Sequence, residues 1–299
     1  MTTNTATRAH RTTVEERKAE AEALHSSIRE QVDRLRNTDR WRRFLEFASS
    51  FHDYSFNNVL LILAQRPDAT AVAGYRAWQA KGRQVRTGEH GIHIFGYRLQ
   101  KVTEADNHDD EPAEGENTGK TITRFPVLTV FDITQTDRID GAADPTALTH
   151  LLTGADDHGI VDRLTDHLTG EGWTVARRPL AGGLNGYTDP AGQMIVLKDT
   201  LSAEHAAKTL IHETAHILLG HTENLADYAH HRGLAETEAE SVAYVVAGLT
   251  GFDTSNYSIG YIAGWAHADS TLIASTAARV LHTVHSIADI LEPEPAASE

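Results

Sequence analysis

The sequence predicts an α+β protein in two parts: N-terminal helices with a small antiparallel sheet, then a C-terminal domain built around a helix that carries HETAH. Three observations predict it. In the first half, runs of helical apolar periodicity give way to runs of strict alternation. The charge changes sign along the chain. HETAH, at residues 212–216, sits inside an apolar helical pattern of its own.

The chain has 299 residues, room for one large domain or two ordinary ones, and its 40% hydrophobic content supplies a core in either case. There is no cysteine, which excludes disulfides, cysteine nucleophiles and Cys-ligated zinc; a transition-metal site must use His and carboxylate. The same absence fits a reducing compartment. No secretory-type apolar run opens the chain and no stretch approaches a membrane span, so a soluble, cytoplasmic protein with no membrane partner is expected. The net charge of −15 divides unevenly: residues 1–101 hold 17 Lys+Arg against 11 Asp+Glu (+6), and the remainder 10 against 31 (−21). A basic front and an acidic back suggest two modules with different partners, the front facing an anion such as nucleic acid.

Thr12 or Thr13 can cap a long helix, EERKAEAEALHSSIREQVDRL, acidic at its start and Arg-rich at its end as the macrodipole prefers. A second helix covers about 41–50. Ser55 is placed to cap a third, FNNVLLILAQ, stopped by Arg66-Pro67, with Asn57 and Asn58 serving as caps or ligand contacts. GYRAWQAKG reads as a short helix ended by Gly82. RQVRTGEHGIHIFGYRLQKV then alternates around Thr87-Gly88 and His90-Gly91, the pattern of a hairpin. Residues 104–120 are acidic and nearly free of large apolar groups, expected as a disordered loop between strands. FPVLTVFDI resumes the sheet, and the boundary is set at 145/146, near Pro145.

The second domain, 146–291, opens with a helix at about 159–169. TVARRPL and GQMIVLK follow as two strands joined through GGLNGYTDPAG. Ser202 caps the HETAH helix and Gly220 stops it. Further helices run through ETEAESVAYVVAGLTG and about 270–291, YSIGYIAGWA begins another segment between them, and 292–299 is read as a flexible tail.

In HETAH, His212 and His216 are four residues apart. An α-helix puts both imidazoles on one face, one turn apart, so their nitrogens can converge on one ion. Glu213 beside them is placed as the general base toward an attacking water. Zinc wants a third protein ligand and an open position. A third His at the spacing H-x-x-G-x-x-H is missing, because Leu219 and Gly220 break that pattern and His221 falls one place early. The next helix offers carboxylates instead. Glu236 and Glu240 share a face while Glu238 points about 200° away on the helical wheel. Glu236 is read as the metal ligand and Glu240 as the acceptor for a ligand histidine's ring N–H. His221, His230 and His231 are read as loop histidines. GQMIVLK is expected to offer an edge on which an extended peptide lies against the metal.

Two stretches carry a resemblance. Residues 54–92, YSFNNVLLILAQRPDATAVAGYRAWQAKGRQVRTGEHGI, are similar to the N-terminal domain of ArdC-type antirestriction proteins. HETAH with ETEAESVAYVVAGLTGFDTSNYSIGYIAGWA resembles the metallopeptidase-like domain of the same family, related to ImmA/IrrE proteases. The resemblance implies a single-stranded-DNA-binding domain at 1–145, a zincin-like domain at 146–291, a Zn2+ cofactor, and carriage by mobile elements whose incoming DNA is shielded from restriction. Single-strand binders pair a cationic groove with aromatics on which bases stack. Arg66, Arg76, Lys81, Arg83 and Arg86, interleaved with Tyr54 and Tyr75, are the candidate DNA contacts, whereas Phe56 and Trp78 are expected in the core. A peptide or protein substrate is the second partner implied. A non-enzymatic protector with a structural metal and a regulatory protease that cleaves a repressor are the alternatives.

Overall fold

The computed structural model describes residues 13–101, 121–139, 157–252, 254 and 269–292. The acidic segment 104–120, the proposed boundary at Pro145, the segment YSIGYIAGWA and the tail beyond 292 lie outside the described residues.

Helix α1 (Val14–Arg34) starts in a capping box: Thr13 Oγ1 accepts from the Glu16 N–H, and the Glu16 carboxylate accepts from the Thr13 N–H. Helix α2 (Thr38–Ser50) begins three residues earlier than its apolar pattern, capped by Asn37. Helix α3 (Phe56–Gln65) has Ser55 at its N-cap position, but the Ser55 side chain makes no capping bond. Asn58 does not cap either. Its amide reaches across to β3 (Ile92–Phe95), donating to the Phe95 carbonyl at 2.8 Å and accepting from the Phe95 N–H at 2.9 Å. Gln65 does the same with His93, at 2.8 and 2.9 Å.

The first sheet is antiparallel, in the order β1 (Val72–Gly74), β6 (Val127–Asp132), β3. The hairpin expected from RQVRTGEHGIHIFGYRLQKV does not form as such. Strand β2 (Arg83–Val85), which follows helix α4 (Tyr75–Ala80), pairs with β7 (Thr136–Arg138) instead of with β3. Alternation tells which face of a strand is buried and is silent on its partner. Here the partner arrives from beyond the 3-10 turn Ile133–Gln135, where the buried Asp132 carboxylate accepts from the backbone N–H groups of Thr70, Ala71 and Thr134. Burial opposes ionising Asp132, yet these hydrogen bonds, with that of the Thr134 hydroxyl, hold its carboxyl below the usual range. Strands β4 (Arg98–Lys101) and β5 (Thr121–Arg124) form a separate ribbon.

Helix α5 (Ile160–Gly170) leads to a second sheet in the order β8 (Thr174–Arg178), β10 (Met194–Lys198), β9 (Gly186–Asp189). β8 and β10 are parallel, and β9 returns antiparallel along β10. The segment read as a joining loop thus contains a strand. GQMIVLK, expected to offer an edge, is the central strand, and its Ile195, Val196 and Leu197 are all fully buried, as a strand covered on both faces must be. The outer strands are β8 and β9, and β9 is the one that lies against the next helix.

That helix, α6 (Ala203–Leu218), packs on the sheet and is followed by α7 (Leu225–Leu249) and α8 (Ser270–Leu291). One continuous core runs from α1 and α2 through α6, α7 and α8. At its centre Trp41 Nε1 of α2 donates to the buried Ser241 Oγ of α7 at 3.1 Å, and Tyr244 of α7 donates to Glu46 of α2 at 3.2 Å. The two modules that charge and composition suggest share this seam. Among the described residues, no helix is long and apolar enough to cross a membrane.

Candidate metal centre

Ser202 caps α6 by accepting from the His205 N–H, which fixes where the helix starts and so which face HETAH presents. Gly186 of β9 lets the helix sit close. A Cβ there would stand 2.6 Å from Thr209 Cγ2 and 3.1 Å from the Val196 carbonyl oxygen. This approach brings Thr188 of β9 to Glu213, and its hydroxyl donates to Glu213 Oε2 at 2.7 Å.

The rings of His212 and His216 meet edge to face, with their Nε2 atoms 3.1 Å apart. Glu236 of α7 places Oε2 3.6 Å from His212 Nε2 and 3.8 Å from His216 Nε2. Among the described residues these three form the cluster able to hold a metal ion, with one donor atom from each within 4.8 Å of the others. Donors at ~2.0–2.1 Å around a tetrahedral zinc stand about 3.3 Å apart, so the observed spacing fits a small divalent ion. Glu240 Oε2 lies 3.3 Å from His212 Nδ1, at ion-pair distance although the ring N–H is not aligned on it. Tyr228 donates to Glu236 Oε1 at 2.5 Å, leaving Oε2 for the histidine side. Burial opposes charging His212, but Glu236, Glu240 and Glu213 overcome it and raise its pKa to about 9. Contacts to His212 and His216 hold Glu236 far below the usual carboxylate range. Burial and the bond to Glu236 push Tyr228 up to about 12.

The site is open. A cleft of about 500 Å3 lies on one side, lined by Asn185, His205, Lys208, His212, Glu213 and Glu240. A second, of about 330 Å3, lies on the other and includes Tyr187, Thr188, His216, Tyr228, Arg232 and Glu236. Gly186, His212 and Glu213 border both, so β9 runs along a groove whose middle is the HETAH pair.

Sequence reasoning missed Thr188, Tyr228, His221 and Glu238. His221 is 9% exposed, its Nδ1 3.0 Å from His216 Nδ1 and its Nε2 2.9 Å from Glu238 Oε2. The spacing H-x-x-x-G-H, a ligand followed by a helix-stopping glycine and a histidine, was the available signal.

The candidate DNA contacts fall into two groups. Tyr54 is partly buried and donates to the Val72 carbonyl at 2.9 Å; Arg83 donates to Thr136; Arg86 pairs with Glu89 and Asp137; Arg66 pairs with Asp68 and donates to Thr134. Tyr75, Arg76 and Lys81, on α4 and just past it, are exposed. Trp78 is 3% exposed and donates to the Phe131 carbonyl, and Phe56 packs on the core, both as expected.

An HExxH pair on one helix, met by a carboxylate from the next, defines an α+β protein with a metallopeptidase-like centre. The chain has the ArdC-type two-domain architecture: residues 18–131 match the N-terminal domain of anti-restriction factor ArdC, and residues 169–247 match the IrrE N-terminal-like domain of the M78 peptidases. An uncharacterised Bacillus anthracis protein is 24% identical over 288 residues, covering 85% of this chain and 48% of that protein, so the chain spans about half the length of that relative. Crystal structures of the antirestriction protein ArdC from plasmid R388 are similar at 20% identity (metal-free; TM-score 0.44, 79% of this chain and 85% of that one) and 19% (Mn(II)-bound; TM-score 0.46, 81% and 90%).

Proposed function

We propose that this is a cytoplasmic antirestriction protein of a mobile element, which binds single-stranded DNA through its N-terminal half and hydrolyses a peptide bond at the His212–His216–Glu236 centre. The observation that carries the enzymatic part is the open groove on both sides of the cluster. Structural zinc sites are closed by four protein ligands, whereas catalytic sites keep three and leave a position facing the substrate. Two imidazoles and one carboxylate form such a three-donor set, and suit zinc.

When bound, zinc polarises a carbonyl and acidifies the attacking water. Glu213, 8% exposed and oriented by Thr188, takes that water's proton and returns it to the leaving amine. Tyr228 keeps Glu236 turned so that one oxygen alone faces the histidines. The outer strand β9 offers its backbone to an extended peptide lying in the groove. On the N-terminal half, Tyr75, Arg76 and Lys81 supply an exposed ring and two exposed cations to a single strand, within residues 1–101, whose net charge is +6.

The test compares wild type with Glu213→Gln in two assays, peptide hydrolysis and protection of incoming DNA from restriction. Loss of both supports hydrolysis as the route to protection. Hydrolysis that survives the substitution refutes the assignment of the base, and protection that survives it assigns protection to DNA binding alone.

A further inference from the structure

The end of α6 is a Schellman turn. The Gly220 N–H donates to the Ile217 carbonyl at 2.9 Å and the His221 N–H donates to the His216 carbonyl at 3.0 Å, with Gly220 at φ +75°. In this turn the residue after the glycine folds back onto the residue five positions earlier, where two apolar side chains usually meet. Here the two side chains are imidazoles. Their Nδ1 atoms are 3.0 Å apart, and the rings meet edge to face at 5.1 Å. The turn that stops the helix therefore delivers a second histidine to the rear nitrogen of the ligand His216.

The row extends further. His221 Nε2 is 2.9 Å from Glu238 Oε2, and Glu238 is 2% exposed. Arg279 of α8 stands 3.5 Å from the same oxygen and donates to the Leu219 carbonyl at 2.6 Å, which locks it against the turn. A carboxylate so deeply buried is costly unless its charge is used, and Glu238 Oε1 has no hydrogen-bond partner at all among the described residues.

With Glu238 Oε2 within hydrogen-bond reach of His221 Nε2 and facing Arg279, one arrangement of protons satisfies the row with neutral rings. The carboxylate only accepts, so His221 carries its proton on Nε2. A neutral imidazole protonated there has a lone pair on Nδ1, which accepts from a proton on His216 Nδ1. His216 is left with a bare Nε2, the atom that faces His212 and Glu236. This is the tautomer a metal ligand requires.

We propose that His221 and Glu238 are positioning residues that hold His216 in its metal-binding tautomer and orientation, through a row running from Arg279 to the metal centre. The proposal rests on the reading of His212, His216 and Glu236 as a metal site. It gives the two ligand histidines parallel support from α7: Glu240 stands directly behind His212, and Glu238 stands behind His216 with one imidazole between them.

The experiment is a Co2+ titration of the full chain, followed by the visible d–d absorption of the bound ion, with thermal melting of each metal-free protein alongside. The variants are Glu238→Gln, His221→Phe and His221→Asn, the last placing a carbonyl oxygen where Nδ1 accepts. Expected is a loss of Co2+ affinity of about 10–100-fold in Glu238→Gln and His221→Phe. His221→Asn should recover most of that loss, with an absorption band close to that of wild type. If Glu238→Gln fails to fold, the His221 pair decides. Affinities within twofold of wild type in all variants that fold, or equal losses in His221→Asn and His221→Phe, overturn the positioning role and leave a merely structural tie between α7 and α8. Failure of wild type itself to bind Co2+ overturns the metal-site reading beneath it.

Discussion

Around HETAH each side chain of the candidate centre has a partner behind it on another segment: Glu240 behind His212, His221 behind His216, Tyr228 behind Glu236, Thr188 behind Glu213. On the α4 side of the N-terminal half, Arg76 and Lys81 end in solvent, while Arg83 and Arg86 are committed to Thr136, Glu89 and Asp137. The contrast fits the two roles proposed for these surfaces. Bond breaking needs donors fixed to a fraction of an ångström. A phosphate backbone is met by long cations in register with a flexible strand, where positional precision adds little.

Four measurements would break or sharpen that contrast. The largest effect is expected from Glu213→Gln, which should lower peptide hydrolysis by about 10²–10⁴-fold with metal content unchanged; a drop of less than tenfold would mean that fixed geometry here does not serve acid–base chemistry. Next is Trp41→Ala. Removing a buried tryptophan costs about 3–5 kcal/mol, and because the ring ties α2 to α7 the substitution should lower metal binding and N-terminal melting in a single transition. Two separate transitions would show halves that fold independently.

The third concerns pH. In the metal-free protein His212 titrates at about 9, above its ordinary 6.5, so it is charged at pH 7 and must lose a proton to bind metal. Metal affinity should rise with pH up to about 9, and calorimetry in buffers of different ionisation enthalpy should detect the released proton. The stability of the metal-free fold moves the other way: the contribution is complete below 6.5 and fades as pH rises through about 9. Smallest is the effect of Arg76→Ala with Lys81→Ala. Oligonucleotide affinity should fall, and the salt slope should lessen by about one for each phosphate no longer neutralised. Arg83→Ala should act on melting temperature more than on that slope; the reverse pattern would place the DNA path over β2 instead.

The HETAH helix, its Ser202 cap and its Gly220 stop were legible because they depend on periodicity and local chemistry alone. Glu236 and Glu240 were legible because four residues on a helix share a face. What escaped depends on neighbours distant in sequence. The strand at 186–189 hides among turn residues, and its glycine is required by Thr209, a neighbour no local pattern announces. Glu238 points away from Glu236, as its place on the helical wheel requires; the direction it points is toward His221, brought there by a turn. The β2 partner lies some fifty residues on, across an aspartate whose three backbone partners only the fold reveals.

The amides of Asn58 and Gln65 bear on the fate of the first sheet beyond this molecule. Strand β3 is one of its outer strands, and an open rim of that kind invites pairing with any extended chain nearby. Two carboxamides, each giving one hydrogen bond and taking one, imitate a neighbouring strand and close the rim at His93 and Phe95. In a crowded cell self-association through β3 is thereby blocked by two side chains that look from sequence like ordinary polar residues on an apolar helix. Strand β9, beside the groove of the candidate metal centre, carries no such plug among the described residues, which leaves its rim free for the peptide proposed above.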